Sequence, residues 1–211
     1  MVSVRADFLL ILLLAFPAWS LAPAEQSAIE KAFQKKQEET STLQSGFRQT
    51  VRMAGVRDPV VSSGKFYYLA PQSILIRFDQ PKGEYMMMKG NDLFIKKTRK
   101  KETRRKLKPD EPHTGLSMLL DLFRTGGRQF QDEFELRMGT EASDLLVTLT
   151  QKKSDDELLP LRIENRLSRA DLNLKSVLVQ FEGGQAILYE FIKPVRNKII
   201  PPSTFENPES L

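Results

Sequence analysis

"SSGKFYYLAPQSILIRFDQPKGEYMMMKGNDLFIKK", residues 62–97, holds the pattern that decides the fold. Apolar side chains recur here at every second position, the period of a strand and not of a helix. Ile74, Ile76 and Phe78 fall on one face, with Arg77 on the other. Pro71 ends the aromatic strand and Pro81 the next, while Gly90-Asn91 between two apolar runs marks a hairpin. Strands joined by such short turns pair antiparallel, because parallel neighbours need a long crossover.

The same period extends in both directions. Upstream, Phe47, Gln49, Val51 and Met53 alternate with Arg48, Thr50 and Arg52, a half-buried strand. Before it, Ser27–Thr42 is rich in helix formers and free of internal Gly or Pro, with Ile29, Phe33 and Leu43 as a narrow apolar stripe. That predicts one amphipathic helix. Downstream, the basic run Thr98–Lys108 carries a further turn and strand. After "PDEPHTG", Leu116, Leu119, Leu120 and Phe123 fall at helical spacing, and this second helix stops near Thr125-Gly126-Gly127. Strands follow around Phe134–Met138, Asp144–Thr150, Leu158–Leu167, Leu174–Phe181 and Gln185–Ile192. The proline-rich tail "RNKIIPPSTFENPESL" ends the pairing. The expected fold is α+β: a large curved antiparallel sheet of about ten or eleven strands, with helices covering its concave face.

Arg5, the apolar run Phe8–Phe16 and Ala22-Pro23-Ala24 reproduce the charged, apolar and cleavage regions of a secretory signal. The run is too short to cross about 30 Å of hydrocarbon as a helix. Residues 1–24 are thus expected to be a cleaved signal peptide and residues 25–211 one exported domain. The chain has no cysteine, which excludes disulfides, thiolate metal sites and a cysteine nucleophile.

Catalytic patterns are sparse. The single histidine, His113, lies in a loop, and the acids of "SDDELL" lack the spacing of a calcium loop. No glycine-rich phosphate loop or nucleophile elbow occurs. We expect a binding protein, not an enzyme, with no metal and no cofactor.

Two features bear on what it binds. Apolar residues occupy both faces of neighbouring strands, with Phe66 and Tyr68 beside Tyr67 and Leu69, and Met86 and Met88 beside Tyr85 and Met87. Such an excess fits either an additional apolar load in the curve of the sheet or a core filled under two helices. Methionine, unbranched and polarizable, suits a ligand of irregular shape. The second feature is Lys96–Lys108, with nine Lys or Arg against one Glu. In an exported protein this points to an anionic surface, an acidic partner or a solvated face, and away from nucleic acid.

Four stretches, in order, resemble the periplasmic carriers of outer-membrane lipoproteins, the LolA-like family. They are "LQSGFRQT" (43–50), "SGKFYYLAPQSILIRFDQP" (63–81), "MKGNDLFI" (88–95) and "NKIIPPSTFENP" (197–208). The resemblance implies an incomplete β-barrel whose helices form a lid over an apolar cavity for acyl chains. On this sequence the cavity would be lined by Phe47, Phe66, Tyr68, Ile74, Ile76, Phe78 and Met87, under a lid of Leu116, Leu119, Leu120 and Phe123. Lys100, Lys101, Arg104 and Arg105 would meet a membrane or partner. The implied partners are acylated lipoproteins or another lipid cargo, an inner-membrane release complex and an outer-membrane acceptor, with the carrier a monomer. A non-transporting scaffold or lipid-sensing domain is the other reading of the same sheet. One departure stands out: many family members carry a lid-holding arginine before the proline after the aromatic strand, where this chain has Ala70. Arg77, one strand on, is the candidate substitute.

Overall fold

The computed structural model describes residues 21–108, 119–120, 132–152 and 160–208. Helix α1 (Pro23–Glu38) leads into strands β1 (Thr42–Arg52), β2 (Val60–Leu69), β3 (Ser73–Gln80), β4 (Tyr85–Lys89), β5 (Asp92–Lys96) and β6 (Thr103–Lys106). Strands β7 (Phe134–Glu141), β8 (Asp144–Gln151), β9 (Arg162–Ser168) and β10 (Leu174–Gln180) follow. A short 3₁₀ turn (Glu182–Gly184) links β10 to β11 (Ala186–Arg196), and helix α2 (Ser203–Glu206) lies in the closing segment. Helix α1 ends at Glu38 rather than Thr42. The Thr40 hydroxyl folds back to donate to the Lys36 carbonyl at 2.6 Å, and Leu43 already belongs to β1, paired with Tyr68.

The strands form one open sheet of eleven, in the order β6-β5-β4-β3-β2-β1-β11-β10-β9-β8-β7. Every pairing is antiparallel, so the α+β antiparallel sheet expected from the two-residue period is the one found, and it stays unclosed, as the resemblance implies. Two meanders meet at the centre, where β1 pairs with β11 through Phe47↔Phe191 and Gln49↔Tyr189. The edge strand β6 is exposed throughout and reads Thr-Arg-Arg-Lys, charge that discourages further pairing.

The two faces are covered differently. The inner face carries the main core: Phe47, Phe66, Tyr68, Ile74, Ile76, Met88 and their counterparts on β7–β11, with Ile29 and Phe33 of α1 packed on them. The outer face has a smaller core under β3 and β4, where Leu75, Tyr85 and Met87 are buried by Ile200 and Phe205 of the closing segment. The doubled apolar pattern thus has an internal partner on one side: the tail that ends strand pairing folds back as a cover. It also corrects the place of Met87. Leu75↔Met87 is an outer-face pair, whereas Ile74↔Met88 and Ile76↔Met86 face inward, so Met86 and Met88 line the inner wall and Met87 does not.

Candidate functional site

The inner wall is built in rows across the strands. One runs Phe191, Phe47, Gly64, Phe78; the next Phe66, Ile76, Met86, Ile95; a third Leu43, Tyr68, Ile74, Met88, Leu93. Gly64 is what lets the first row close. Phe47 and Phe78 meet edge to face across it at 5.5 Å, over a β-bulge between Ser63 and Gly64. Phe66 meets Phe191 in the same way at 5.1 Å, tying the two meanders together. Six of the seven expected cavity residues therefore lie on one continuous face, and four of them, Phe47, Phe66, Ile74 and Ile76, are at most 2% exposed. Phe78 and Met86 are half-buried.

Polar groups on this wall are few. The Tyr189 phenol is pushed above its usual range by burial, against a hydrogen bond from Gln49 opposite it. Asn165, buried between Ile163 and Leu167 on β9, donates its amide to the Val147 carbonyl at 3.3 Å. Its Oδ1 has no partner among the described residues. A surface of this kind can hold hydrocarbon; burial is worth about 0.8 kcal/mol per CH₂ and does not depend on direction.

What lies over the wall is tied down at its margins. Leu119 and Leu120 are helical and buried in the same core. Leu116 and Phe123, expected beside them, lie outside the described residues, as do His113 and the acids of "SDDELL". Helix α1 is held at one end by Glu25–Arg169, an exposed pair at 3.4 Å, and at the other by a denser knot. Lys36 Nζ donates to the Asp171 carbonyl, and Arg196 reaches from β11 to Thr40 Oγ1 at 2.6 Å, Asn173 Oδ1 at 2.9 Å and the Leu172 carbonyl at 3.5 Å. Burial lowers the pKa of both cations; Arg196 lowers that of Lys36 further, and Asp171 opposes the shift in each. Asn197 completes the knot, donating to the Glu39 carbonyl at 2.9 Å and accepting from the Ser41 N–H at 2.8 Å.

Arg77 does not take part. It lies on the outer face, opposite Lys65 and Tyr85, and pairs with Asp79 at 3.6 Å. Ala70 packs against the inner core, so no arginine sits at that point. The cation that fastens the segment just after α1, at Thr40, is Arg196. Its only mark in the sequence is its place before Asn197, at the end of a strand whose pairing with β1 is not apparent from either segment alone.

The basic residues separate as well. Lys100 and Lys101 are exposed in the β5–β6 turn. Arg104 lies over the Phe94 ring at 5.3 Å on the outer face and bonds Asp92 at 2.9 Å, while Arg105 stands opposite Leu93 at the inner side of the edge. A cavity of about 220 Å³ is lined by Arg77, Asp79, Glu84 and Pro208 together with Phe78 and Tyr85.

Comparison with known proteins places these features. In solved structures the fold is similar to an uncharacterized conserved protein from Thermus thermophilus, with a TM-score of 0.53 and 8% identity, covering 86% of this chain and 93% of that one. It is also similar to the LolA superfamily protein NE2245 from Nitrosomonas europaea, with a TM-score of 0.44 and 9% identity over 83% of this chain and 96% of that one. MucB matches with a TM-score of 0.41 and 14% identity over 86% of this chain and 62% of that one. No curated protein matches the sequence. The sequence profile of the family described as "Outer membrane lipoprotein carrier protein LolA" matches residues 38–207, from the end of α1 to the closing segment. The chain belongs to the LolA outer membrane lipoprotein carrier family.

Proposed function

We propose that this protein is a periplasmic carrier that shields the acyl chains of a lipoprotein against the inner face of its sheet. In this reading residues 1–24 are a cleaved export signal and residues 25–211 form the carrier domain. It accepts cargo from an inner-membrane release complex and gives it up to an outer-membrane acceptor, as a monomer and without chemistry on the cargo. The observation that carries the reading is the contrast between wall and cover: a continuous apolar face lies beneath α1 and the Leu119–Leu120 helix, and α1 is fastened by a few polar ties at its ends. Lifting such a cover exposes the wall without breaking the strand ladder. Arg196 does at α1 what the family's arginine, absent at Ala70, does elsewhere. Lys100 and Lys101 face a membrane or partner at the handover.

The test places a photo-crosslinking residue at Phe78 or Met86 on the inner wall and, as control, at Lys65 on the outer face. Incubated with a diacylated, lipoprotein-like peptide, the inner positions should crosslink to it and Lys65 should not. Equal labelling at all three, or none at the inner pair, would refute the carrier reading. Labelling by an added glycolipid but not by the peptide would keep the cavity and change the cargo.

A further inference from the structure

The strands alternate in direction from β1 to β6, so the β1–β2, β3–β4 and β5–β6 turns all leave the same end of the sheet. With strands about 4.8 Å apart, these three turns line a rim roughly 20 Å long. The β1–β2 tip, residues 53–59, is exposed throughout, and its apolar side chains have no cover: Met53 is 44% exposed and Val56 52%, with Val60 at 51% and Val61 at 57% just behind them. These four large apolar groups stand exposed around one hairpin tip, Val60 and Val61 on opposite faces of it, so the tip is apolar on both sides.

The rest of the rim is cationic. Arg52 and Arg57 flank the apolar tip, Lys82 lies in the β3–β4 turn, and Lys97, Arg99, Lys100 and Lys101 lie in the β5–β6 turn; all are exposed. The acids in the same turns are Asp58, Glu84 and Glu102, with Asp79 near the end of β3 beside them. Three of those carboxylates are engaged: Asp79 by Arg77, Glu84 by the Thr98 N–H and Glu102 by the Tyr85 hydroxyl. The β5–β6 turn also holds Arg99 in the left-handed region at φ 59°, a conformation that glycine or asparagine adopts at less cost. Arginine there costs stability and adds charge at the apex.

We infer that this rim, with the β1–β2 tip as an apolar wedge and the basic turns beside it, docks the protein onto an anionic lipid bilayer. The inference rests on the carrier reading for its biological setting and deepens it by naming the surface that the basic turn meets. An apolar tip bordered by guanidinium and ammonium groups matches the layered chemistry of a membrane interface, with acyl chains below and phosphates above. Each cation near such a surface adds about five-fold to partitioning.

The experiment uses protein recovered after export, carrying Val56→Trp, with wild type as the fluorescence background. The probes are vesicles of phosphatidylglycerol and phosphatidylcholine in equal parts, and vesicles of phosphatidylcholine alone. On the mixed vesicles the new tryptophan should shift to the blue and be quenched by bromine on the acyl chains. Lys100→Ala with Lys101→Ala should lower partitioning about 25-fold. Arg99→Gly should raise the Tm while weakening partitioning, a combination that a purely structural turn does not give. Absence of the blue shift, in protein that still crosslinks acylated peptide at Phe78, overturns the rim and leaves the carrier intact. Equal binding to phosphatidylcholine alone overturns it, as does tight capture of polyglutamate with no vesicle binding, which would assign the basic turns to an acidic protein.

Discussion

A side chain at position 64 has nowhere to go. A Cβ there would stand 1.9 Å from the Arg77 carbonyl oxygen and 2.9 Å from the Phe47 ring. We expect Gly64→Ala to lower stability by about 3 kcal/mol or more in a denaturant titration, because two backbones and a ring must separate to admit one methyl. The glycine is visible in the sequence, but its reason is not, since the bulge that brings Arg77 against it depends on register. Met87 shows the same limit. Three consecutive methionines carry no period of their own, and only the pairing of β3 with β4 settles which of them look inward. Where polar residues break the run, as Arg77 does between Ile76 and Phe78, the face is legible at once.

Among the elements, strands were easier to read than what covers them. Nearly every strand follows from alternation between turn residues, because each needs only local pattern and a neighbour. The closing segment reads as a proline-rich tail, yet Ile200 and Phe205 seal the outer face of β3 and β4. No period announces that docking: α2 is a single turn, and its apolar partners lie far away in sequence. Phe205→Ala should therefore cost about 3–5 kcal/mol and bare Leu75, Tyr85 and Met87, seen as new binding of an apolar dye with the inner-wall crosslinks unchanged. Helix α1 was legible as an element but not in its anchorage, since Arg196 reaches it only through the β1–β11 pairing.

On the scale of the whole molecule, lowered carboxylates make the fold sensitive to low pH: Glu84, held down by the Thr98 N–H, and two acids on the other half of the sheet, Asp144 and Asp171. Asp144 is held below the usual carboxylate range by a hydrogen bond from Lys175, against burial, with Arg166 and Ser143 adding to it. For Asp171, burial resists ionisation, but the Asn173 N–H, Ser168 and Lys36 outweigh it. Both bind protons less readily folded than unfolded. Their contribution is complete above the unfolded value near 4 and is lost as the pH falls through the lower folded values. The Tm should drop across that window, and Asp171→Asn should flatten the drop. Since Asp171 sits in the turn that anchors α1, the cover should loosen before the strands do, with exchange at α1 amides rising first.

The β1–β11 seam sets an order of events in time. A chain delivered from its N-terminus presents β1 early, and β2 to β6 can fold onto one of its edges as they arrive. The other edge, from Leu43 to Arg52, waits for residues 186–196. Through that interval a row of unpaired N–H and C=O groups stands open beside apolar side chains, a template for any passing strand. The last strand to arrive is thus the one that joins the halves, and it also delivers Arg196 and Asn197 to α1 and leads into the segment that seals the outer face. A chain interrupted shortly before residue 186 would hold most of the described strands and lack all three closures, which makes residues 186–206 the step at which this protein becomes safe from its neighbours.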